Sequence, residues 1–63
     1  MFEIKTDILI RGEYVKGEIY KNRPLYYASI QPIYHLMSPE TLRNTIKELN
    51  NIADKLDELN KDL

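Results

Sequence analysis

The sequence predicts an α+β domain in which a small antiparallel sheet of three to four strands is followed by one long C-terminal helix. Apolar and polar residues alternate near the N-terminus, and β-branched and aromatic residues dominate the middle of the chain. Residues 40–61 contain neither glycine nor proline, as a long helix requires. At 63 residues the chain is expected to be a single domain, 1–63, with a β half at 2–37 and the helix at 39–61.

Three extended segments are predicted in the β half. In the first, residues 2–10, apolar side chains occupy alternate positions, which is the period of a half-buried strand. The second segment covers 13–21 and the third covers 25–30, with glycine and proline turn signals between them. Gly17 indicates a bulge, a bend or a close approach of another backbone inside the second strand. The alternative is that residues 15–18 are themselves a turn.

The start of the helix is marked by local signals. Ser38 is a preferred N-cap residue, and Pro39 fits the first helical position, where no backbone donor is needed. Glu40 places a negative charge near the positive end of the helix dipole. These three residues predict that the helix begins at 39.

Leucine recurs every seventh residue of the helix, at Leu42, Leu49, Leu56 and Leu63. We expect the first two turns to pack on the chain's own sheet and the later turns to extend past it, where a second subunit would cover them. The alternative is a helix with a frayed end. The residues predicted to mediate self-association are Leu49, Ile52, Leu56, Leu59 and Leu63.

Chain length also favours a homo-oligomer. A chain of this size buries only about 60% of the surface that its unfolded form exposes, so small domains usually need disulfides, a metal or self-association. There is no cysteine, and His35 is the only histidine, so we expect neither a disulfide nor a metal site. Self-association into a dimer or larger homo-oligomer is therefore the remaining way to stabilise the domain. Antiparallel pairing of the helices is preferred.

The composition lacks the residues of an enzyme. His35 has no serine or cysteine motif beside it, and no glycine-rich phosphate loop is present. We therefore predict no catalytic residue, no cofactor and no enzymatic activity. The longest apolar stretch is far shorter than the roughly 18 residues of a membrane span. With no leader-like N-terminus and no cysteine, the expected location is the cytoplasm, away from membranes.

All five tyrosines lie in the β half, mixed with basic residues. Such residues serve as strand packing, as anchors for a protein partner, or as stacking platforms for unpaired bases. The net charge of −1 argues against nucleic acid. The candidate partner-binding residues are Arg11, Tyr14, Tyr20, Arg23, Tyr26 and Tyr27.

The predicted function is a small homo-oligomeric protein-binding module. A composition rich in Ile, Lys, Asn and Tyr is typical of AT-rich DNA, which favours a phage or mobile-element protein that binds and inhibits or redirects a host protein, such as a defence enzyme. The alternative comes from residues 36–42, Leu-Met-Ser-Pro-Glu-Thr-Leu, where an extended segment enters a terminal helix through a proline cap. This junction resembles that of the positive-cofactor-4 family. The resemblance implies a homodimeric transcription regulator that binds single-stranded nucleic acid.

Overall fold

A computed structural model describes residues 8–61. Strands β1 (Ile8–Arg11), β2 (Val15–Asn22) and β3 (Leu25–Pro32) are followed by helix α1 (Pro39–Asn60). The strands form an antiparallel sheet in the order β1-β2-β3. The predicted α+β class is confirmed, and so is the order of strands before helix. The predicted strand positions at 2–7 lie outside the described residues.

Each face of the sheet has a different environment. In the pairing of the strands, Ile19 on β2 lies between Ile8 on β1 and Ala28 on β3. Because side chains alternate along a strand, these residues share the face that packs against α1. The opposite surface, called here the open face, is not covered by a helix of the described residues. It carries Leu9, Arg11, Lys16, Glu18, Tyr20, Asn22, Leu25, Tyr27, Ser29 and Gln31.

The core lies between β2 and α1. Val15, Ile19 and Ile52 are only 3%, 0% and 3% exposed. A Cβ atom added to Gly17 would lie 3.0 Å from Cδ1 of Ile52, so the glycine permits the helix to approach the sheet. The pairing runs without a bulge through β2, and the alternative of a turn at 15–18 is therefore wrong. At Gly17 the nearest approaching group is a side chain rather than the backbone that was expected.

Local bonds define both ends of α1. The Ser38 hydroxyl accepts a hydrogen bond from the Thr41 N–H at 3.2 Å, which confirms the predicted N-cap. At the other end, Lys61 is the C-cap residue, so the helix ends one residue earlier than predicted. The side-chain amide of Asn60 binds β3 twice, accepting from the Tyr26 N–H at 2.7 Å and donating to the Tyr26 carbonyl at 3.3 Å.

The prediction that the later turns of α1 extend past the sheet is wrong. The last turn is attached to β3, and Leu56 and Leu59 are half-buried. In the first turns, by contrast, Leu42 and Ile46 are 49% and 56% exposed. Thr45 faces the sheet there instead, and its hydroxyl is satisfied by the Thr41 carbonyl at 2.8 Å. The sheet therefore buries a flank that includes a threonine rather than the most apolar one.

Candidate functional site

The turn between β1 and β2 wraps around the carboxylate of Glu48. One carboxylate oxygen accepts from the Glu13 N–H at 2.9 Å, and the other accepts from the N–H groups of Tyr14 and Val15 at 3.0 and 3.1 Å. A Cβ atom on Gly12 would overlap this carboxylate. The arrangement therefore needs both the glycine and the glutamate, and it attaches α1 to the turn.

The surroundings of Glu48 lower its pKa. Partial burial by itself raises the pKa of this carboxyl, but the backbone N–H donors of Tyr14, Val15 and Glu13 together outweigh burial and bring the pKa below the ordinary 4.5. Glu48 is therefore ionised in the folded protein at neutral pH and acts as a fixed acceptor. Because three backbone N–H groups already donate to its oxygens, Glu48 is poorly suited to act as a general base.

We predict that the stability of the fold falls on acidification because of Glu48. The folded state favours the ionised carboxyl more than the unfolded chain does, so this stabilisation is complete above pH 4.5 and is lost as the pH falls through the lowered pKa. Urea midpoints measured between about pH 7 and about pH 3 should drop less for Glu48→Gln than for the wild type. Glu58→Gln, on an exposed helix position, is the control and should keep the wild-type slope. Parallel pH profiles for all three proteins would contradict the prediction.

A cavity of about 200 Å³ opens beside this turn. Its lining consists of Ile10, Gly12, Val15, Glu48, Asn51 and Ile52. Among the described lining residues, Glu48 is the only titratable one, and its carboxylate is already bound by backbone amides. These lining residues therefore provide no acid–base pair.

The sequence-predicted tyrosines do not share one surface. Tyr20 and Tyr27 are direct cross-strand neighbours on the open face, which also carries Arg11. Arg23 lies in the β2–β3 turn. On the same face, Lys16 and Glu18 form an ion pair with Nζ and Oε1 3.3 Å apart. The open face thus combines two rings with a charge pattern that is partly neutralised.

Tyr14 and Tyr26 lie elsewhere. The Tyr14 ring centroid is 6.2 Å from that of Tyr34, and its hydroxyl accepts from Asn44 on α1 at 3.4 Å. Tyr26 belongs to the face that packs against the helix, where Lys21 Nζ lies 5.7 Å from its ring centroid. Partner binding by the six candidate residues stays a prediction. Of the six, Arg11, Tyr20 and Tyr27 are on the open face, with Arg11 at the opposite end of the strands from the two tyrosines.

Exposed apolar side chains lie along the chain near the start of α1, and we call them the apolar patch. We define it as Leu36, in the segment before the helix, with Leu42 and Ile46 from its first turns. Leu36 is 93% exposed. The exposed cations Arg43 and Lys47 directly follow Leu42 and Ile46 in the chain. The sequence signal for the patch is Leu42 and Ile46 in the first turns of the helix, which are the turns expected to pack on the chain's own sheet.

The residues predicted to mediate self-association are also divided. Leu49 is exposed on the flank of α1, Leu56 and Leu59 are half-buried, and Ile52 lies in the core. Leu63 lies outside the described residues. Self-association itself stays a prediction.

Comparison with known proteins adds no relative. No protein-family model matches the chain, and no curated protein or solved structure is significantly similar to it. Within residues 8–61, α1 is too polar to cross a membrane. The same residues contain no group of three His, Cys, Asp or Glu side chains placed to hold a metal ion.

Proposed function

We propose that this chain is a non-enzymatic module that self-associates and binds another protein. The supporting observation is that fewer hydrophobic side chains of the described residues are buried in the core than are exposed on the surface. Among the described residues three aliphatic side chains form the core, whereas ten large hydrophobic side chains are at least 36% exposed. Contiguous exposed apolar surface usually marks an interaction site. The ten are Leu9, Leu25, Tyr27, Ile30, Ile33, Tyr34, Leu36, Leu42, Ile46 and Leu49.

The apolar patch is the surface best suited to a different protein. Leu36 provides a side chain that is almost entirely free to enter a pocket, and burying a leucine contributes about 1.5–3 kcal/mol. Arg43 and Lys47 border the patch with positive charge. The partner's surface would thus carry an apolar pocket with acidic groups at its rim. A host protein inhibited or redirected by a phage-encoded module is the biological setting that we propose.

The test compares three immobilised proteins in extracts of a low-GC bacterial host. These are the wild type, the patch variant Leu36→Ser/Ile46→Ser, and the open-face control Leu9→Ser/Tyr27→Ser. A protein held by the wild type is then purified, and its dissociation constant is measured with each variant. We expect the patch variant to bind about 100-fold more weakly, because two anchors are lost, and the control to bind normally. Failure to retain a protein, or equal binding by the patch variant, would overturn the proposal.

A second candidate function is binding of single-stranded nucleic acid on the open face. The observation in its favour is the cross-strand pair of Tyr20 and Tyr27 on a face that includes Arg11. The ion pair between Lys16 and Glu18 weighs against it, because it neutralises part of the charge that phosphates require. Fluorescence anisotropy with labelled oligo(dT), at about 50 and 200 mM salt, separates the two functions. Tight binding that falls steeply with salt and is lost in Tyr27→Ser would favour nucleic acid.

A further inference from the structure

Strand β3 forms one edge of the sheet, and its backbone directions follow from two contacts. The Tyr26 N–H and C=O both bind Asn60, so these groups point away from β2. Because backbone groups alternate in direction along an antiparallel strand, those of Ala28 and Ile30 also point outward. The Ile33 N–H donates inward to the Tyr14 carbonyl at 2.8 Å, as this alternation requires.

With respect to the described residues 8–61, the outward edge is open for pairing over two residues. At one end the groups of Tyr26 are taken by the Asn60 amide. At the other end the outward residue is Pro32, which has no N–H to donate. Between these ends Ala28 and Ile30 each present one donor and one acceptor. An edge limited in this way restricts the register in which another strand can add to it.

Pairing at this edge would also bring two helices to packing distance. Helix α1 contacts both β2 and β3, and an axis placed midway between these two strands is about half a strand spacing inside β3. With strands about 4.8 Å apart, two copies joined β3 to β3 would have helix axes about 10 Å apart. Packed helices are usually 8–10 Å apart. Pairing at the β1 edge would leave the two helices further apart, because α1 packs mainly on β2 and β3.

The flank of α1 that would face the second helix is identified by Asn60, which already reaches β3. Ala53 and Leu49 lie two and three turns earlier, on nearly the same side of the helix as Asn60. Ala53 is exposed. Seven helical residues cover about 10 Å, as do the three strand residues from Tyr26 to Ser29. Ala53 therefore lies near the level of Ser29, where its small side chain permits close helix approach.

We propose that the chain forms a two-fold dimer in which β3 pairs antiparallel with β3 of a second copy, with the axis at Ser29. This proposal rests on the self-association proposed above and specifies its geometry. In this register Ala28 pairs with the partner's Ile30, and Ile30 with the partner's Ala28, so every open donor and acceptor of the two residues is satisfied. If the axis were at Ala28, Ile30 would lie opposite the partner's Tyr26, whose backbone groups are already bound by Asn60. If the axis were at Ile30, Ala28 would lie opposite the partner's Pro32, which has no N–H.

The surface available at this edge approaches the lower end of the size range of stable dimer interfaces. β3 has 8 residues, so it is about 27 Å long, and sheet plus helix form a wall about 20 Å high. Interlocking side chains on a wall of this size approach the roughly 800 Å² that each partner of a stable dimer buries. That is about 15% of the 5335 Å² surface of the chain. The resulting dimer has a continuous six-stranded sheet with two antiparallel helices on one face.

Cysteine cross-linking tests the register, since the chain has no cysteine of its own. In the proposed dimer the two Ser29 residues face each other with Cα atoms about 4.5 Å apart, within disulfide range. The two Gln31 residues are about 14 Å apart and out of range. Both are exposed on the open face. We expect oxidised Ser29→Cys to run mainly as a covalent dimer on a non-reducing gel and Gln31→Cys to stay monomeric. The reverse result, or equal cross-linking, would overturn the register.

A matched pair of charge variants tests the helix contact. Ala53→Glu places two carboxylates at the axis, whereas Asn51→Glu adds the same charge on the opposite flank. Both positions are exposed, and glutamate is a good helix former, so both variants should fold. By light scattering, we expect the dimer dissociation constant to rise about 100-fold for Ala53→Glu and to stay unchanged for Asn51→Glu.

The two proposals fail in different ways. A wild-type mass of 7.5 kDa over the whole concentration range would overturn both self-association and this dimer. A wild-type dimer that survives Ala53→Glu and does not cross-link through Ser29→Cys would overturn this geometry alone.

Discussion

Ile19→Ala is expected to leave a large fraction of the molecules unfolded at room temperature. Ile19 is 0% exposed and lies at the centre of the sheet beneath α1. Removing three buried carbon atoms costs about 2–5 kcal/mol, because the surrounding side chains fill the cavity only in part. A chain of 63 residues has a total stability of about 3–9 kcal/mol, so this loss removes much of it. Urea unfolding followed by circular dichroism measures the change.

Leu36→Ala is the matched control, since it also shortens an aliphatic side chain. Leu36 is 93% exposed, so its substitution should change the unfolding free energy by no more than about 0.5 kcal/mol. Equal midpoints for the two variants would contradict the assignment of the core to β2 and α1. The control is also informative for function, because Leu36 belongs to the apolar patch proposed to bind another protein.

Glu48→Ala is expected to produce the second largest loss of stability, about 2–3 kcal/mol. The substitution removes the acceptor of three backbone N–H groups and the contact between α1 and the β1–β2 turn. Each hydrogen bond to a charged acceptor contributes about 1.5–3 kcal/mol when water is excluded. The donor of Glu13 is exposed, and water replaces part of the loss there, so the sum is smaller. Thermal or urea unfolding at neutral pH provides the measurement.

The control for Glu48→Ala is Glu58→Ala, which removes the same charge from an exposed position of the same helix. Its effect should stay within about 0.5 kcal/mol. Hydrogen exchange adds a local observation, because the amides of Tyr14 and Val15 should lose protection in Glu48→Ala and keep it in Glu58→Ala. Unchanged protection in both variants would show that the carboxylate does not hold the turn.

Features controlled by neighbouring residues were predictable. Ser38 and Pro39 determine the start of α1 through bonds within a single turn, and the structure begins the helix where those residues predict. Gly17 indicated a close approach because a missing Cβ leaves room for another element, and Ile52 occupies that room. In both cases the structural feature occurs at the residues whose type predicts it.

The candidate surfaces were less predictable because they depend on which way side chains face. Composition grouped the tyrosines, but adjacent strand residues point to opposite faces, so Tyr26 and Tyr27 are separated by the sheet. The direction of side chains also decides which helix residues are buried, since the apolar residues of α1 spread over more of its surface than the sheet covers. Leucine spacing does not reveal that Thr45 would face the sheet while Ile46 remains exposed.

By itself the sequence determined the fold class, the order of strands before helix and the residue at which the helix starts. These depend on periodicity and capping, which are local properties of the chain. Only the tertiary structure decided that Glu48 holds the β1–β2 turn and that Asn60 closes part of the β3 edge. Both contacts join residues more than 30 positions apart, and the polar groups that meet in them are ordinary solvent-exposed types when considered alone. Their roles come from the packing of α1 across the sheet, which brings distant parts of the chain within hydrogen-bonding distance.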